Sequence, residues 1–431
     1  MQEEYVIGSD IGTTSTRVII FDGHGNIVSE GRAGYELIRP KPGWTEQKAQ
    51  WWYDAFVKSC KEAILKSGID KNKIKACGIT HQRQSFVPLD RNLNTLRNGI
   101  LWNDMRCGDQ AEFATKKIGL KKVYNRTGFP PATMTLYKIM WLRDNEPEIY
   151  EKAHLFLLVT DYVTARLTGE VAIAEGSATF SGMLDIKQKN KWAYDILKSL
   201  DIDISKLPTR ICSGGEIVGY VTRKASEESG LPEGLPIVST GGDQPVGVLG
   251  VGIVEPGIAG INGGTSCTVE MYSSKLPLDP KMSYFIEISP EGGYAPESAI
   301  YSGVSALMIW YRDNFGMTEI EEAKTLDKNV WDTIYDKATN IPAGSDGLMM
   351  VPYFAGASGP YWDVRARGVI TGFVETHSRH HLIRSIIEGQ AYESKKIIEP
   401  MEKVIGIKLS EVRMYGGSAV SDIFNQIFSD I

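Results

Sequence analysis

Three glycine-bearing turns carry the residues of this chain that could do chemistry. Asp10-Ile11-Gly12-Thr13-Thr14 follows the apolar run Tyr5-Val6-Ile7. Gly241-Gly242-Asp243-Gln244 follows Leu235-Pro236-Ile237-Val238, and Gly263-Gly264-Thr265-Ser266 follows Ile258-Ala259-Gly260-Ile261. Glycine lets a backbone approach an anion closely, and successive N–H groups with hydroxyls grip phosphate oxygens. Two such cradles with an aspartate turn between them point to a nucleotide held by two half-sites, with an acid or base at their junction. A plain Gly-Thr hairpin is the alternative for each turn taken alone. For Asp243 the alternative is an ordinary turn aspartate.

The elements that must position these turns can be read from periodicity. Tyr5–Ile11 and Arg17–Phe21 read as strands, with a third near Ile27–Tyr35 beyond the turn at Gly23-His24-Gly25-Asn26. Trp52, Phe56, Cys60 and Ile64 recur every four residues, so Gln50–Lys66 reads as a helix stopped at Gly68. Lys75–Thr80 is another strand. Helices are expected within 105–118, 136–152 and 190–200, and again over Val420–Asp430. Ile258–Asn262, the Gly263–Ser266 turn and Cys267–Tyr272 repeat the opening order of strand, turn and strand, which reads as a structural duplication.

Bulk properties narrow the classes. With 431 residues the chain exceeds one ordinary core, so two domains are expected, 1–246 and 247–431, with a hinge at 245–256. Residues 42% apolar and 23% charged fit a globular protein. A net charge of -6 without a long basic run argues against nucleic acid and membrane as partners. The five cysteines show no CxxC, and Met1-Gln2-Glu3-Glu4 carries no signal-peptide pattern, so a reduced cytoplasmic setting is expected. His377, His380 and His381 form no zinc-binding set and read as surface or cap residues. No GK[ST] occurs, which sets aside a P-loop NTPase.

The turns resemble those of the FGGY carbohydrate kinases, a branch of the actin-like ATPases. The resemblance extends through Pro42-Gly43-Trp44-Thr45-Glu46-Gln47, Trp102-Asn103-Asp104-Met105-Arg106 and Lys138-Ile139-Met140-Trp141-Leu142. It continues through Pro360-Tyr361-Trp362-Asp363, Ala366-Arg367-Gly368, Gly372-Phe373, Gly389-Gln390-Ala391 and Gly416-Gly417-Ser418 with Ser421 and Gln426. It implies an α/β fold of two ribonuclease-H-like domains with a central cleft, sugar on the first domain and ATP mainly on the second. It also implies a closing motion on substrate binding.

The same resemblance assigns roles. Asp10 joins the Mg²⁺ shell, and Asp243 lies near the metal while serving as catalytic base. Gly12, Thr13 and Thr14 meet the phosphates, with Arg17 as a cationic neighbour, and Gly264, Thr265 and Ser266 meet them from the other side. Gly416, Gly417 and Ser418 take the adenosine end. Gln82, Arg83, Gln84, Trp102, Asp104, Asp243 and Gln244 contact the acceptor; His81 alone reads as a core or turn histidine.

For the acceptor, Gln82-Arg83 and Gln244 look like glycerol kinases. Those enzymes usually carry a glutamate at Gln84 and aromatic residues where Thr133 and Thr268 stand. Trp102–Cys107 and Met183-Leu184-Asp185-Ile186 look like xylulokinases, which typically have Met-His at Arg83-Gln84. A ketopentose, xylulose first, is expected, with glycerol, ribulose, erythritol and gluconate as alternatives. The other classes weighed are an actin-like ATPase without a sugar pocket and a non-catalytic sugar-binding relic. A homodimer is one assembly left open. Relatives usually continue well past Ser429-Asp430-Ile431, so a shortened second domain, less stable than the first and weaker for ATP, is expected. Thermal melting with and without ATP-Mg²⁺ checks this: the expected result is a separate, less stable transition for the second domain. A single transition strengthened by nucleotide as much as in a longer relative would count against it.

Overall fold

The computed structural model describes residues 4–130, 132–363 and 365–431. Met1-Gln2-Glu3, part of the segment read for a signal peptide, lies outside the described residues. Two compact units are present. One comprises Met1–Leu249 with Ile286–Gly293, the other Gly250–Phe285 with Tyr294–Ile431.

In the first unit β1 (Tyr5–Ile11), β2 (Ser15–Asp22) and β3 (Ile27–Gly34) form an antiparallel meander. Helix α1 (Ala49–Ser67) then leads to β4 (Ile74–His81), which pairs with β1 in parallel. With β5 (Ile217–Tyr220) and β6 (Pro236–Val238) the sheet runs β5-β6-β4-β1-β2-β3. Alternation along β1 explains the core: Tyr5, Ile7 and Ile11 are buried between more exposed neighbours. Trp52, Phe56, Cys60 and Ala63 line one stripe of α1 and meet that sheet, and Gly68 closes the helix in a left-handed conformation.

The second unit repeats the plan. β7 (Ile258–Gly263), β8 (Cys267–Met271) and β9 (Tyr294–Ile300) are antiparallel neighbours. The long helix α2 (Arg379–Ile405) precedes β10 (Glu411–Tyr415), which lies parallel to β7, so that β9-β8-β7-β10 run in that order within a five-stranded sheet. Its core joins Val304, Leu307, Met308 and Tyr311 to Ile383, Ile386 and Ile387, with Phe424 and Ile427 from the last helix. The duplication expected from the two strand–turn–strand patterns is present as a matched sheet order.

Some expected boundaries move. The pattern over 136–152 is two helices, Thr135–Asn145 and Pro147–Lys152, because Pro147 cannot continue the first and opens the second. The expected helix Val420–Asp430 is a 3₁₀ turn, Gly417–Val420, followed by Asp422–Asp430, with the Ser421 side chain capping the Phe424 amide. Asp243 does not sit in an open turn: it begins a helix, Asp243–Gly250, which occupies the first part of the expected hinge.

The contact between α1 and β3 is backbone on backbone. A Cβ on Gly31 would lie 2.1 Å from the Ser59 carbonyl oxygen, whereas one on Gly23 would meet nothing nearer than 3.9 Å. Gly31→Ala is expected to cost at least about 2 kcal/mol in denaturant unfolding and Gly23→Ala less than about 1 kcal/mol. Equal losses would show that the helix is free to shift.

Candidate functional site

The first half of the site grows from the ends of β1, β4 and β6. The Gly12-Thr13-Thr14 turn joins β1 to β2, and its carbonyls are tied back. Tyr35 donates its hydroxyl to the Gly12 oxygen and its amide to that of Thr14 at 3.0 Å, while Gln47 Nε2 donates to that of Thr13 at 2.8 Å. This holds the turn in one conformation. Trp102 Nε1 donates to Thr13 Oγ1 at 3.0 Å, so the exposed indole and the turn move as one piece. The Trp102 backbone is itself clamped: Ser85 Oγ accepts from its amide, and the fully buried Lys138 donates to its carbonyl, each at 3.0 Å. Burial pushes the Lys138 amine down to about 8.

Asp243 is placed by glycines. Gly242 bridges His81 in parallel, and Thr80 Oγ1 donates to the Gly241 carbonyl at 2.9 Å, which lays the start of the Asp243 helix along the end of β4. There Arg83 Nε lies 3.1 Å from Asp243 Oδ1, and Arg83 Nη1 pairs with Glu287 Oε1. The Arg83 guanidinium stacks 3.8 Å above the Phe180 ring. A Cβ on Gly242 would fall 2.3 Å from Arg83 Cγ, so the glycine makes room for the arginine stem. Glu287 arrives on Ile286–Gly293, a segment bound to the first unit through the Ile286 amide and the Gly128 carbonyl at 3.0 Å.

Asp10 ends β1 beside this pair. Its carboxyl is raised to about 7, first by lost solvation, then by the like charge of Asp243, against the lowering pull of Arg17. The Asp10 surface nevertheless opens to solvent. Two carboxylates that repel each other at an open edge are the donor set a hard divalent cation satisfies. Arg17 reaches Glu30 through Nε at 3.0 Å. His81 is fully buried, bound to the Gln82 carbonyl and Ser177 Oγ at 2.9 Å each, and burial lowers it to about 4. It is a core histidine.

Two expected acceptor contacts are corrected. Asp104 is wholly buried. Its Oδ1 accepts from Arg106 Nε at 2.8 Å and the Arg106 amide at 3.0 Å, and its Oδ2 from the Thr45 amide at 2.6 Å. It shapes the Trp102 loop from behind. Gln82 is also buried, donating to Gln47 Oε1 at 3.1 Å and accepting from Ser85 at 3.2 Å, so its amide supports the loop. Gln84, at φ 63, is also largely buried, with Thr135 Oγ1 donating to its carbonyl at 3.0 Å and its Nε2 3.9 Å from Met134 Sδ. The Gln244 amide donates to Asp243 Oδ1 at 3.1 Å.

A second set of glycine-bearing turns lies in the other unit. Gly263-Gly264-Thr265-Ser266 joins β7 to β8, and Gly416-Gly417-Ser418 follows β10, the strand beside β7. Ser305 connects them: its hydroxyl donates to the Gly263 carbonyl at 3.0 Å and lies 3.1 Å from Ser418 Oγ. The Gly303 amide donates to the Thr265 carbonyl at 2.9 Å, and a Cβ on Gly303 would fall 2.5 Å from the Cys267 nitrogen. Gly416, at φ 86, has no room for a side chain, because a Cβ would lie 2.4 Å from Asn262 Oδ1. Thr265, Gly416 and Gly417 are exposed, whereas Gly263 and Ser418 are buried, so each turn presents a short stretch of backbone with small side chains, a form suited to an anion or a flat ring. Gln426 lies on the solvent side of the last helix, bonded to Asp430 at 2.7 Å. Of the histidines, His381 closes the N-cap of α2 at Ser378, and His377 lies 3.2 Å from the Asp346 carbonyl.

Sequence reasoning missed Glu287, Ser305, Gly303 and Lys138 as parts of the two halves. Lys138 lay in a quoted motif. The other three sit outside every glycine–threonine or Gly-Gly signal, and only folding brings them to the site.

Residues 5–250 match the N-terminal domain, and residues 259–431 the C-terminal domain, of the FGGY family of carbohydrate kinases. A glycerol kinase from Paraburkholderia phytofirmans is 30% identical over 100% of this chain and 85% of its own length. A gluconate kinase from Lactobacillus acidophilus matches with a TM-score of 0.90 at 26% identity, covering 100% of this chain and 84% of that one. A xylulose kinase from the same organism matches with a TM-score of 0.90 at 26% identity, over 99% of this chain and 84% of that one. No helix among the described residues is long and apolar enough to cross a membrane. This chain belongs to the FGGY family of carbohydrate kinases, phosphotransferases of the two-domain actin-like fold that act on a sugar alcohol.

Proposed function

We propose that this protein transfers the terminal phosphoryl group of ATP to a hydroxyl of a ketopentose, xylulose first. The observation that carries the transfer is the junction of Asp243, Arg83 and Asp10 beside the Gly12–Thr14 turn. Asp243 is the base. As the acceptor oxygen bonds to the γ-phosphorus and the bond to the bridging β-oxygen breaks, the hydroxyl proton passes to the Asp243 carboxylate and ADP leaves. An ordinary aspartate, with a pKa of about 3.9, suffices when the proton departs late in a loose transition state.

Arg83, Gln84, Trp102 and Gln244 orient the acceptor: the indole gives a flat wall, and the polar groups meet hydroxyls. Thr13 and Thr14 offer amides and hydroxyls to the phosphates in the first unit, with Arg17 nearby. Gly264, Thr265 and Ser266 do the same in the second unit, and Gly416, Gly417 and Ser418 receive adenosine. Asp10 and Asp243 would hold magnesium, which would supply charge neutralisation to the phosphates. The raised Asp10 carboxyl fits this role, because the cation removes the repulsion that raises it.

Glycerol is the second reading, favoured by the glycerol kinase relatives and by Gln82-Arg83. Against it, Thr133 and the buried Thr268 stand where the resemblance would put aromatic residues around a three-carbon triol.

ADP release is to be measured against xylulose, ribulose, glycerol, erythritol and gluconate. Xylulose is expected to give the highest kcat/KM, and Asp243→Asn to lower kcat by about 100-fold or more. An unaffected Asp243→Asn rate removes the assigned base.

Asp10 gives a pH test. Its native value of about 7 exceeds the unfolded value near 3.9, so on raising pH the unfolded chain releases this proton first. Stability contributed by the neutral carboxyl is complete at low pH, declines as pH rises from about 4 to about 7, and is then flat. Asp10→Asn is expected to flatten that part of the melting temperature profile, and added Mg²⁺ to raise the wild type more than the variant at neutral pH. Parallel profiles would contradict the shift.

A further inference from the structure

We propose that Glu287 is a positioning and specificity residue that makes the acceptor site select an uncharged polyhydroxy compound and reject a sugar acid. This rests on the phosphotransfer reading above and deepens it. Glu287 is fully buried, at 0% exposure, and an ionised carboxylate there is tolerated only where a cation is held against it. Arg83, whose side chain is only 11% exposed, supplies one such cation.

Arg83 is fixed from several sides. Its Nε lies 3.1 Å from Asp243 Oδ1, its Nη1 pairs with Glu287, its guanidinium rests on the Phe180 ring, and its stem fills the space left by Gly242. The segment that delivers Glu287 is packed as closely, since a Cβ on Gly214 would lie 1.9 Å from the Pro290 carbonyl oxygen.

Two consequences follow for a ligand. A hydroxyl needs a dipole or an N–H direction, which a fixed guanidinium supplies. A carboxylate needs a cation whose charge is not already answered, and here Asp243 and Glu287 both answer it. The arginine of the Trp102 loop, Arg106, is turned inward at 0% side-chain exposure and is bound by Asp104 and Glu46. Glu287, wholly buried where the Asp243 side chain is 38% exposed, takes Arg83 Nη1 and so fixes the guanidinium that faces the base.

The test compares kcat/KM for xylulose, ribulose, glycerol and erythritol with that for gluconate, in the wild type and in Glu287→Gln. A neutral acceptor is expected to exceed gluconate by at least about 50-fold. Glu287→Gln is expected to narrow that gap about tenfold and to lower kcat on the neutral acceptor, with the KM for ATP held within about twofold. Gluconate as the best acceptor, or a gap unmoved in Glu287→Gln, overturns the proposal. A merely structural Glu287 would lower the melting temperature and leave the ratio alone.

Nitrogen-15 arginine spectra give a readout independent of turnover, with the Arg83 Nε–H signal assigned through Arg83→Lys. That signal is expected to shift and exchange faster in Glu287→Gln. Should Glu287→Gln not fold, Glu287→Asp, which draws the charge back by one methylene, is expected to show both changes more weakly. No ADP from any acceptor together with a moved Arg83 signal removes the phosphotransfer reading and leaves the anchoring intact. An unmoved signal overturns the anchoring whatever the acceptors do.

Discussion

A guanidinium held between two carboxylates is the interaction on which the first half of the site depends. Arg83 cannot adopt its place unless Gly242 is a glycine, unless Phe180 offers a ring face, and unless Glu287 returns to the first unit from far along the chain. One requirement is steric and two are electrostatic, and together they set where Asp243 stands. Hydrogen bonds from Thr80 and the bridge at His81 fasten the same strand end to the same helix start. The result is a carboxylate positioned by backbone and by charge, with a preset direction.

The second half uses a different economy of parts. Close packing requires glycine at one place in its turns and one beside them: Gly416 abuts Asn262 and Gly303 abuts the Cys267 amide. Ser305 ties one turn to the other through a single hydroxyl. Anion recognition by backbone needs this, since amides reach a phosphate only where side chains do not intervene. The two units therefore share a sheet plan with a glycine-bearing turn after its first strand, and the first unit adds the charges of Asp243, Arg83 and Glu287.

Much of this was legible from the chain. Glycine–threonine turns after apolar runs located the two matched strand–turn–strand units, and the four-residue rhythm from Trp52 to Ile64 located α1 to within a residue or two. What sequence could not show was burial and return. Asp104 stands in a motif of polar residues, which pointed to a pocket, but Arg106 two residues on captures its carboxylate and turns it inward. Asp243 follows two glycines, the signature of a turn, and only tertiary packing shows that a helix starts there. Glu287 alternates with apolar residues in Phe285–Ile288, a pattern that identifies a strand and says nothing about which unit will claim it. Period-two patterns encode faces and leave partners open.

The central claim is that a sugar hydroxyl, rather than water, receives the terminal phosphoryl group. The most direct test incubates the protein with ATP labelled in the γ-phosphate and a ketopentose, then separates the products. The account predicts label on a sugar phosphate, with little free phosphate formed when the sugar is withheld. Label found only in inorganic phosphate, at a rate indifferent to added sugar, would contradict it.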